Sequence, residues 1–273
     1  MKIGKVKLRI IISFCLILIL NFSFIEITYA DIDENINNDS KIKKIILIDP
    51  GHGGVDGGAV SKRGTVEKDV NLAISYKLKT HLEQKGYKVV MTRESDYGLY
   101  SDKGKIRDKK IEDLNNRCKM KKNSNCDVFV SIHLNMFEQS KYYGAQVWYA
   151  VEPKESMDLA HIIQENLKSD LDNGNKRKEK SAKGAYKILR CDNTIPSVIV
   201  ECGFLSNQQE EENLLNEEFQ VKIAESISKS LDEFVNLVEF RYKEDKSKEI
   251  EETNENEVDF TIKQYIDEHW EVQ

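Results

Sequence analysis

The sequence predicts an α/β fold: three layers, α/β/α, with a largely parallel twisted sheet in the middle. Three observations carry that expectation. Short apolar runs occur at Ile45–Ile48, Asp127–Ile132 and Ser197–Val200. Segments of helical spacing stand between them, and glycine-bearing or charged residues close each run. The chain has 273 residues, 40% of them hydrophobic, enough for one large or two small domains with a sizeable core. With 32% charged residues and a net charge of -6, the surface is well solvated and offers no positive field for nucleic acid. No internal repeat is present.

The first thirty residues stand apart. Lys2, Lys5, Lys7 and Arg9 precede an almost wholly apolar stretch, Ile10 to Ile25, and Thr28-Tyr29-Ala30 has the small-x-small pattern of a cleavage site. Residues 1–30 are therefore expected to be an export signal, either cleaved or retained as an anchor. The apolar run falls short of the ~20 residues that span a bilayer comfortably. Asp31 to Lys43, rich in Asn, Asp and Lys, reads as a tether.

The globular part is expected to cover 44–238. Strand Ile45–Ile48 opens it. Val70, Ala73, Ile74 and Leu78 give helical spacing over Glu67–Gln84, with Gly86 as a stop. Tyr87–Met91 reads as a strand, Thr92–Lys110 as a long polar loop, and Ile111–Met120 as a helix. Strands follow at Asp127–Ile132, ending at His133, and at Gly144–Tyr149. Met157–Leu167 is helical through Leu159, Ala160, Ile163 and Leu167, and Asp172–Lys183 is loop-like. Tyr186–Leu189 and Ser197–Val200 read as strands, the second ending at Glu201. Helices are expected at Glu210–Leu215 and Phe219–Val238. Residues 239–273 form an acidic tail: Arg241–Asn256 reads as solvated helix or disorder. Val258–Trp270, with roughly helical apolar spacing, is expected to dock on the domain or on a partner.

Four side chains fall where a parallel sheet concentrates chemistry, outside the carboxyl ends of its strands. His52 follows the first strand in the glycine-rich turn Asp49-Pro50-Gly51-His52-Gly53-Gly54, Glu67 opens the first helix, His133 follows the third strand and Glu201 ends another. Singly, each has a plainer role: a loop histidine, a charge at a helix start, a core histidine, a surface carboxylate. Jointly they suit a zinc hydrolase. Two imidazoles and a carboxylate are three ligands of a catalytic zinc, which leaves a position for water. Such a metal activates water and polarises a carbonyl. Glu201, after a strand without other charge, can carry the proton, and its apolar surroundings would raise its pKa. His81, His161 and His269 lie in polar helical or tail contexts and are given no role.

Of five cysteines, Cys15 lies in the export segment. Cys118, Cys126, Cys191 and Cys202 match no disulfide framework and contain no CxxC, so they are expected to be free or adventitiously paired. A cysteine hydrolase built on Cys202 is disfavoured, because neighbouring strand residues point to opposite faces and Glu201 claims the cleft.

The domain resembles the zinc-dependent N-acetylmuramoyl-L-alanine amidases, the family labelled amidase type three. The matching text is Ile48-Asp49-Pro50-Gly51-His52-Gly53-Gly54 with Asp56-Gly57-Gly58-Ala59, Glu67-Lys68, Thr92-Arg93 and Leu114-Asn115-Asn116-Arg117. It continues with Asp127 to Asn135 and closes with Pro196 to Asn207 and Glu211. The resemblance runs from about Ile45 to Val238; Leu134 departs from the alanine that relatives often carry there. It implies zinc at His52, Glu67 and His133, catalysis by Glu201, and substrate contacts by Arg190 and Asn135. The reaction implied is hydrolysis of the amide joining N-acetylmuramic acid to L-alanine of the stem peptide.

The layout of signal, tether, one catalytic domain and acidic tail is similar to that of the sporulation amidases, which strip peptides from spore-cortex glycan so that muramic lactam forms. The alternatives are a vegetative autolysin in cell separation or lysis and a non-catalytic wall-binding protein. The expected partners are peptidoglycan glycan strands with stem peptides, the membrane through the N-terminal segment, and an activating or localising protein, since no wall-binding module is evident. The expected location is outside the cytoplasmic membrane, secreted or anchored, at the wall or forespore cortex.

Overall fold

The computed structural model describes residues 44–171 and 174–270, with side chains as far as Lys248. Residues 1–43, expected to be an export signal and a tether, lie outside the described residues. The strands are β1 (Ile45–Pro50), β2 (Lys88–Met91), β3 (Val128–Asn135), β4 (Gln146–Tyr149), β5 (Lys180–Ser181) and β6 (Ser197–Phe204). The helices are α1 (Glu67–Gln84), α2 (Ile106–Asn123), α3 (Glu155–Leu171), α4 (Lys187–Arg190), α5 (Gln208–Leu215) and α6 (Glu217–Trp270). One sheet results, ordered β2-β1-β3-β6-β4-β5. β2, β1, β3 and β6 are parallel, β4 runs antiparallel to β6, and β5 pairs parallel with β4.

Alternation along the strands separates the two faces. Ile46 and Ile48 of β1, Val128, Val130 and Ile132 of β3, and Val198, Val200 and Cys202 of β6 pack into the larger core. Its other wall is built by Ile74 and Leu78 of α1, Leu159 and Ile163 of α3, and Ile223, Ile227 and Leu231 of α6. Each such side chain contributes about 1.5–3 kcal/mol by leaving water. The intervening residues Leu47, Phe129 and Ile199 meet Cys118 of α2 and Ile188 and Leu189 of α4 in the second core. The three layers are thus α1, α3 and α6; the sheet; and α2 with α4. His133 keeps the parity of Phe129, and Glu201 that of Ile199, so both belong to the α2/α4 face.

The structure departs from the sequence reading in four places. The apolar run Tyr186–Leu189 is not a strand: Tyr186 is extended, and Lys187–Arg190 makes one helical turn that buries the adjacent Ile188 and Leu189. Adjacent buried residues do not fit a strand's period of two, and a four-residue apolar run is ambiguous from spacing alone. Helix α2 starts at Ile106, five residues before the expected start and inside the expected loop. Its first turn carries no apolar stripe, since Ile106 and Ile111 are both exposed; the Lys105 amide instead donates to Asp108 Oδ2 at 3.3 Å. The expected loop before Tyr186 contains the two-residue strand β5. Finally, β3 and β6 run on to Asn135 and Phe204, so His133 and Glu201 stand inside paired strands, directly opposite each other.

Helix α6 continues through Glu239 without a break, so Arg241–Asn256 is helical, and Arg241 to Lys248 are exposed. The docking expected of Val258–Trp270 rests on side chains beyond those described. Among the described residues no helix is long and apolar enough to cross a membrane.

Candidate metal centre

Three donor atoms converge at the carboxyl ends of β1 and β3. His52 Nε2 lies 3.2 Å and His133 Nδ1 3.0 Å from Glu67 Oε1. Donors of His52, Glu67 and His133 all lie within 4.8 Å of one another, and the two rings meet edge-on with centroids 4.9 Å apart. Nitrogen and oxygen ligands about 2.0–2.2 Å from a tetrahedral zinc stand about 3.3–3.6 Å apart. The two distances to Glu67 Oε1 are close to that edge, and the donor set suits a divalent metal, so the residues fit such an ion.

The remaining polar atoms of His52 and Glu67 have separate partners that fix their aim. His52 Nδ1 pairs with Asp56 Oδ2 at 3.0 Å, the carboxylate–imidazole contact that orients a metal-binding ring. Glu67 Oε2 accepts from the Ala59 amide at 2.8 Å, and Oε1 also accepts from Leu134 N at 3.1 Å and Asn71 Nδ2 at 3.3 Å. Burial alone would raise the Glu67 pKa, but its bonds with His133 and His52 hold the carboxylate well below the usual range. Burial likewise works against a charged His52, yet the bonds to Asp56 and Glu67 lift it to about 9. A metal entering here must displace that proton, so metal affinity is expected to rise with pH up to that value.

The turn that carries His52 is held by two buried arginines. His52 itself has φ 62, a left-handed conformation that few non-glycine residues adopt. Arg93 donates from Nε to Pro50 O at 3.0 Å and from Nη2 to Gly51 O at 3.0 Å. Arg117 donates from Nη1 to Asp49 Oδ1 at 2.6 Å and to Pro50 O at 2.9 Å, and from Nη2 to His52 O at 2.6 Å. Gly51 is required for a steric reason: a Cβ there would run into the His133 imidazole, clashing with Cε1, Nε2 and Nδ1. Gly51→Ala is therefore expected to displace His133 and weaken metal binding about 10- to 100-fold, measured by titration with a zinc-sensitive dye. A wild-type affinity would show that the ring has room to move.

Glu201 faces the same crevice. It pairs with His133 across β3 and with Gln146 across β4. Its Oε2 is buried and has no hydrogen-bond partner in the protein. Burial pushes its pKa up to about 7; His133 works against this, Glu67 adds to it and His52 again opposes it. Cys202 next to it points into the opposite core, 3% exposed, and burial raises its thiol far above the usual range. That is no setting for a thiolate nucleophile.

The sequence pattern of the N-acetylmuramoyl-L-alanine amidase family matches residues 46–233. The chain belongs to that family. It is 41% identical over 190 residues to the germination-specific N-acetylmuramoyl-L-alanine amidase of Bacillus subtilis, spanning 69% of this chain and 78% of the relative. Among solved structures, the CwlD amidase of Clostridioides difficile, determined in complex with the GerS lipoprotein, superposes with a TM-score of 0.69 at 46% identity. That match covers 71% of this chain and all of the other. The catalytic domain of CwlV from Bacillus (Paenibacillus) polymyxa var. colistinus gives a TM-score of 0.61 at 31% identity, over 71% of this chain and 98% of that one.

The family resemblance assigned two further residues, Asn135 and Arg190, to substrate. Asn135 is partly buried, and its Oδ1 accepts from Met136 N at 2.9 Å in the turn that ends β3. Arg190 is exposed and lines a groove with Ala150, Val151 and Asn193. Ala150 N donates to Ser197 O at 3.0 Å, so the groove borders the first residue of β6, four residues before Glu201. Tyr186 lines the same groove, and Arg190 is not one of the three metal donors.

Other side chains of this amidase matter more than their sequence context suggests. Asp56 and Asn71 brace the donors, and Tyr186 is close enough to Glu201 for that charge, after burial, to raise its phenol pKa. Glu211 of α5 accepts from Ser61 Oγ at 2.6 Å and anchors the loop leading to Glu67. Asp56, Arg93, Arg117 and Glu211 all lie in the stretches that carry the family likeness, which was the one available signal; their structural tasks were not visible.

Proposed function

We propose that His52, Glu67 and His133 hold a zinc ion and that Glu201 moves the proton in hydrolysis of the amide between N-acetylmuramic acid and L-alanine, in the spore cortex. The observation that carries the reading is a buried, unpartnered carboxylate, poised near neutrality, directly across the strand pair from one of three converging metal donors. Zinc bound there supplies a Lewis acid that activates water and polarises the lactyl carbonyl. Glu201 takes a proton as the water adds its oxygen to that carbonyl. It then gives the proton to the alanine nitrogen as the C–N bond breaks, leaving a carboxylate on the glycan and an amine on the peptide. Asp56 keeps Nε2 of His52 aimed at the cluster. The buried setting of Glu201 favours its protonated form between the two transfers.

The spore assignment is supported by the likeness to the germination-specific enzyme of Bacillus subtilis and by the expected layout of signal, tether and single domain. A protein partner is part of the proposal, because the Clostridioides difficile relative was solved with a lipoprotein. Export places the enzyme where cortex glycan is built. Deleting the chromosomal copy is expected to remove muramic lactam from spore cortex, with restoration by the wild-type gene and not by Glu201→Gln. Cortex that keeps its lactam after deletion would contradict the spore role. Dialysis against a chelator is expected to abolish hydrolysis of purified peptidoglycan, and stoichiometric zinc to restore it. Undiminished activity in the chelated protein would contradict the metal.

A further inference from the structure

Two free thiols meet between α2 and α4. Cys118 lies on α2, and Cys191 directly follows α4. Cys118 Sγ is 4.0 Å from Lys187 O, and Cys191 Sγ is 3.4 Å from Ile188 O, so the sulfurs sit against carbonyls of consecutive residues. Each thiol is also near enough to the other to shift its pKa. The flanking backbone is fixed on both sides. Lys121 Nζ donates to Ile188 O at 3.2 Å and to Asp192 O at 3.3 Å, and Lys187 Nζ donates to Asn115 Oδ1. The facing side chains are thus held in register by groups that do not depend on the sulfurs.

We propose that Cys118 and Cys191 form a reversible disulfide that staples α2 to α4. The pair is asymmetric in the way stepwise oxidation needs. Cys118 is 6% exposed, whereas Cys191 is partly open to solvent. The neighbouring Cys118 thiol and Lys121 act against burial at Cys191 and lower its pKa. The more open sulfur, Cys191, therefore meets the oxidant first.

With a small-molecule disulfide as oxidant, the Cys191 thiolate attacks one of its sulfurs and expels the other as a thiolate. Cys118 then loses its proton and attacks Cys191 Sγ in the mixed disulfide, expelling the second thiolate. Two protein thiols become one disulfide, and the oxidant becomes two thiols. Cys202 lies on the far face of the sheet and does not compete; Cys126 is buried in the same core as Cys118, and peptide mapping distinguishes a bridge that includes it.

The staple bears on the metal centre without touching it. Cys118 adjoins Arg117, whose guanidinium holds the His52 carbonyl. Cys191 closes the turn that begins after Tyr186, the phenol beside Glu201. Tying residues 118 and 191 also restricts the unfolded chain. The inference stands whichever metal the centre carries.

The test incubates the folded full chain with oxidised glutathione, or with reduced dithiothreitol, followed by intact-mass and peptide mass spectrometry. The expected oxidised product is a monomer lighter by two hydrogens, with Cys118 and Cys191 peptides linked and Cys126 and Cys202 still alkylatable after unfolding. Its Tm should rise on the order of 5–15 °C over the reduced protein, reversibly. Cys118→Ser and Cys191→Ser should each lose that rise, and Cys126→Ser should keep it. Glutathionylated monomer, intermolecular dimer, a bridge that includes Cys126, or a linked product with unchanged Tm would each overturn the proposal. The wild-type comparison needs no variant, so it stands even if one serine protein fails to fold.

Discussion

Glu201→Gln is expected to lose at least about a thousandfold in rate on peptidoglycan, and yet, stripped of metal, to unfold at a higher temperature than the wild type at pH 8. Both effects come from one carboxylate. In the folded protein burial lifts its pKa from 4.5 to about 7. A raised carboxylate pKa means that the folded state binds its proton more tightly than the unfolded state does. The group therefore costs nothing well below pH 4.5; its penalty grows as pH rises to 7 and is complete above that. A rise of this size corresponds to about 3 kcal/mol, or on the order of 5–10 °C in a domain of this length. Glutamine keeps the shape and removes the charge, so the variant should gain most of this at pH 8 and almost none at pH 4. An equal difference at both pH values would show that Glu201 is not ionising inside the folded protein. A cation at His52, Glu67 and His133 would draw the Glu201 pKa down, so the gap between variant and wild type should shrink in holoenzyme.

Arg117→Ala is expected to cost about 3–5 kcal/mol of stability, because it leaves the Asp49 carboxylate buried with its charge uncompensated. Asp49 is 2% exposed. Burial alone would raise its pKa, but Arg117, with hydrogen bonds from Thr92 and Ser131, holds it down at about 2. Stability from that lowered value is present above pH 4 and is lost as pH falls through 2, so the variant should lose the wild type's resistance to mild acid. The same substitution frees the carbonyl of His52 and leaves that of Pro50 to Arg93 alone. Zinc affinity should consequently fall about 10- to 100-fold, although Arg117 touches no donor atom. Arg117→Lys retains the charge but not the fork that reaches Asp49, Asp113 and His52 together, so it should recover only part of both losses. Urea unfolding and zinc titration would measure the two effects. A variant as stable as wild type, or with unchanged zinc affinity, would show that the clamp does not position the turn.

What the sequence made legible follows from burial. β1, β3 and β6 are covered on both faces, so they read as continuous apolar runs, and the residues that end those runs include His52, His133 and Glu201. Helices α1 and α3 show their stripes because each packs one face on the sheet. Where an element's stability comes from polar contacts, the pattern fails. Helix α2 buries Arg117 and Lys121 rather than an apolar stripe, so its first turn read as loop. Lys121 is wholly buried against the Phe129 ring and two carbonyls, a setting that a charged residue does not announce. The helical turn of α4 has only four residues, too few for a period to show. Four candidate residues at the centre were legible from strand ends and a helix start. The braces around them, Asp56, Arg93 and Arg117, were not, because their partners are backbone carbonyls and side chains distant in sequence.

The amidase chemistry is tested most directly by mass spectrometry of purified peptidoglycan after digestion by the zinc-loaded protein, beside Glu201→Gln at the same concentration. Stem peptides beginning with a free L-alanine amine and glycan bearing free lactyl carboxylates are expected, from the wild type alone. Cleavage at another bond, or equal release of these products by Glu201→Gln, would contradict amide hydrolysis driven by Glu201.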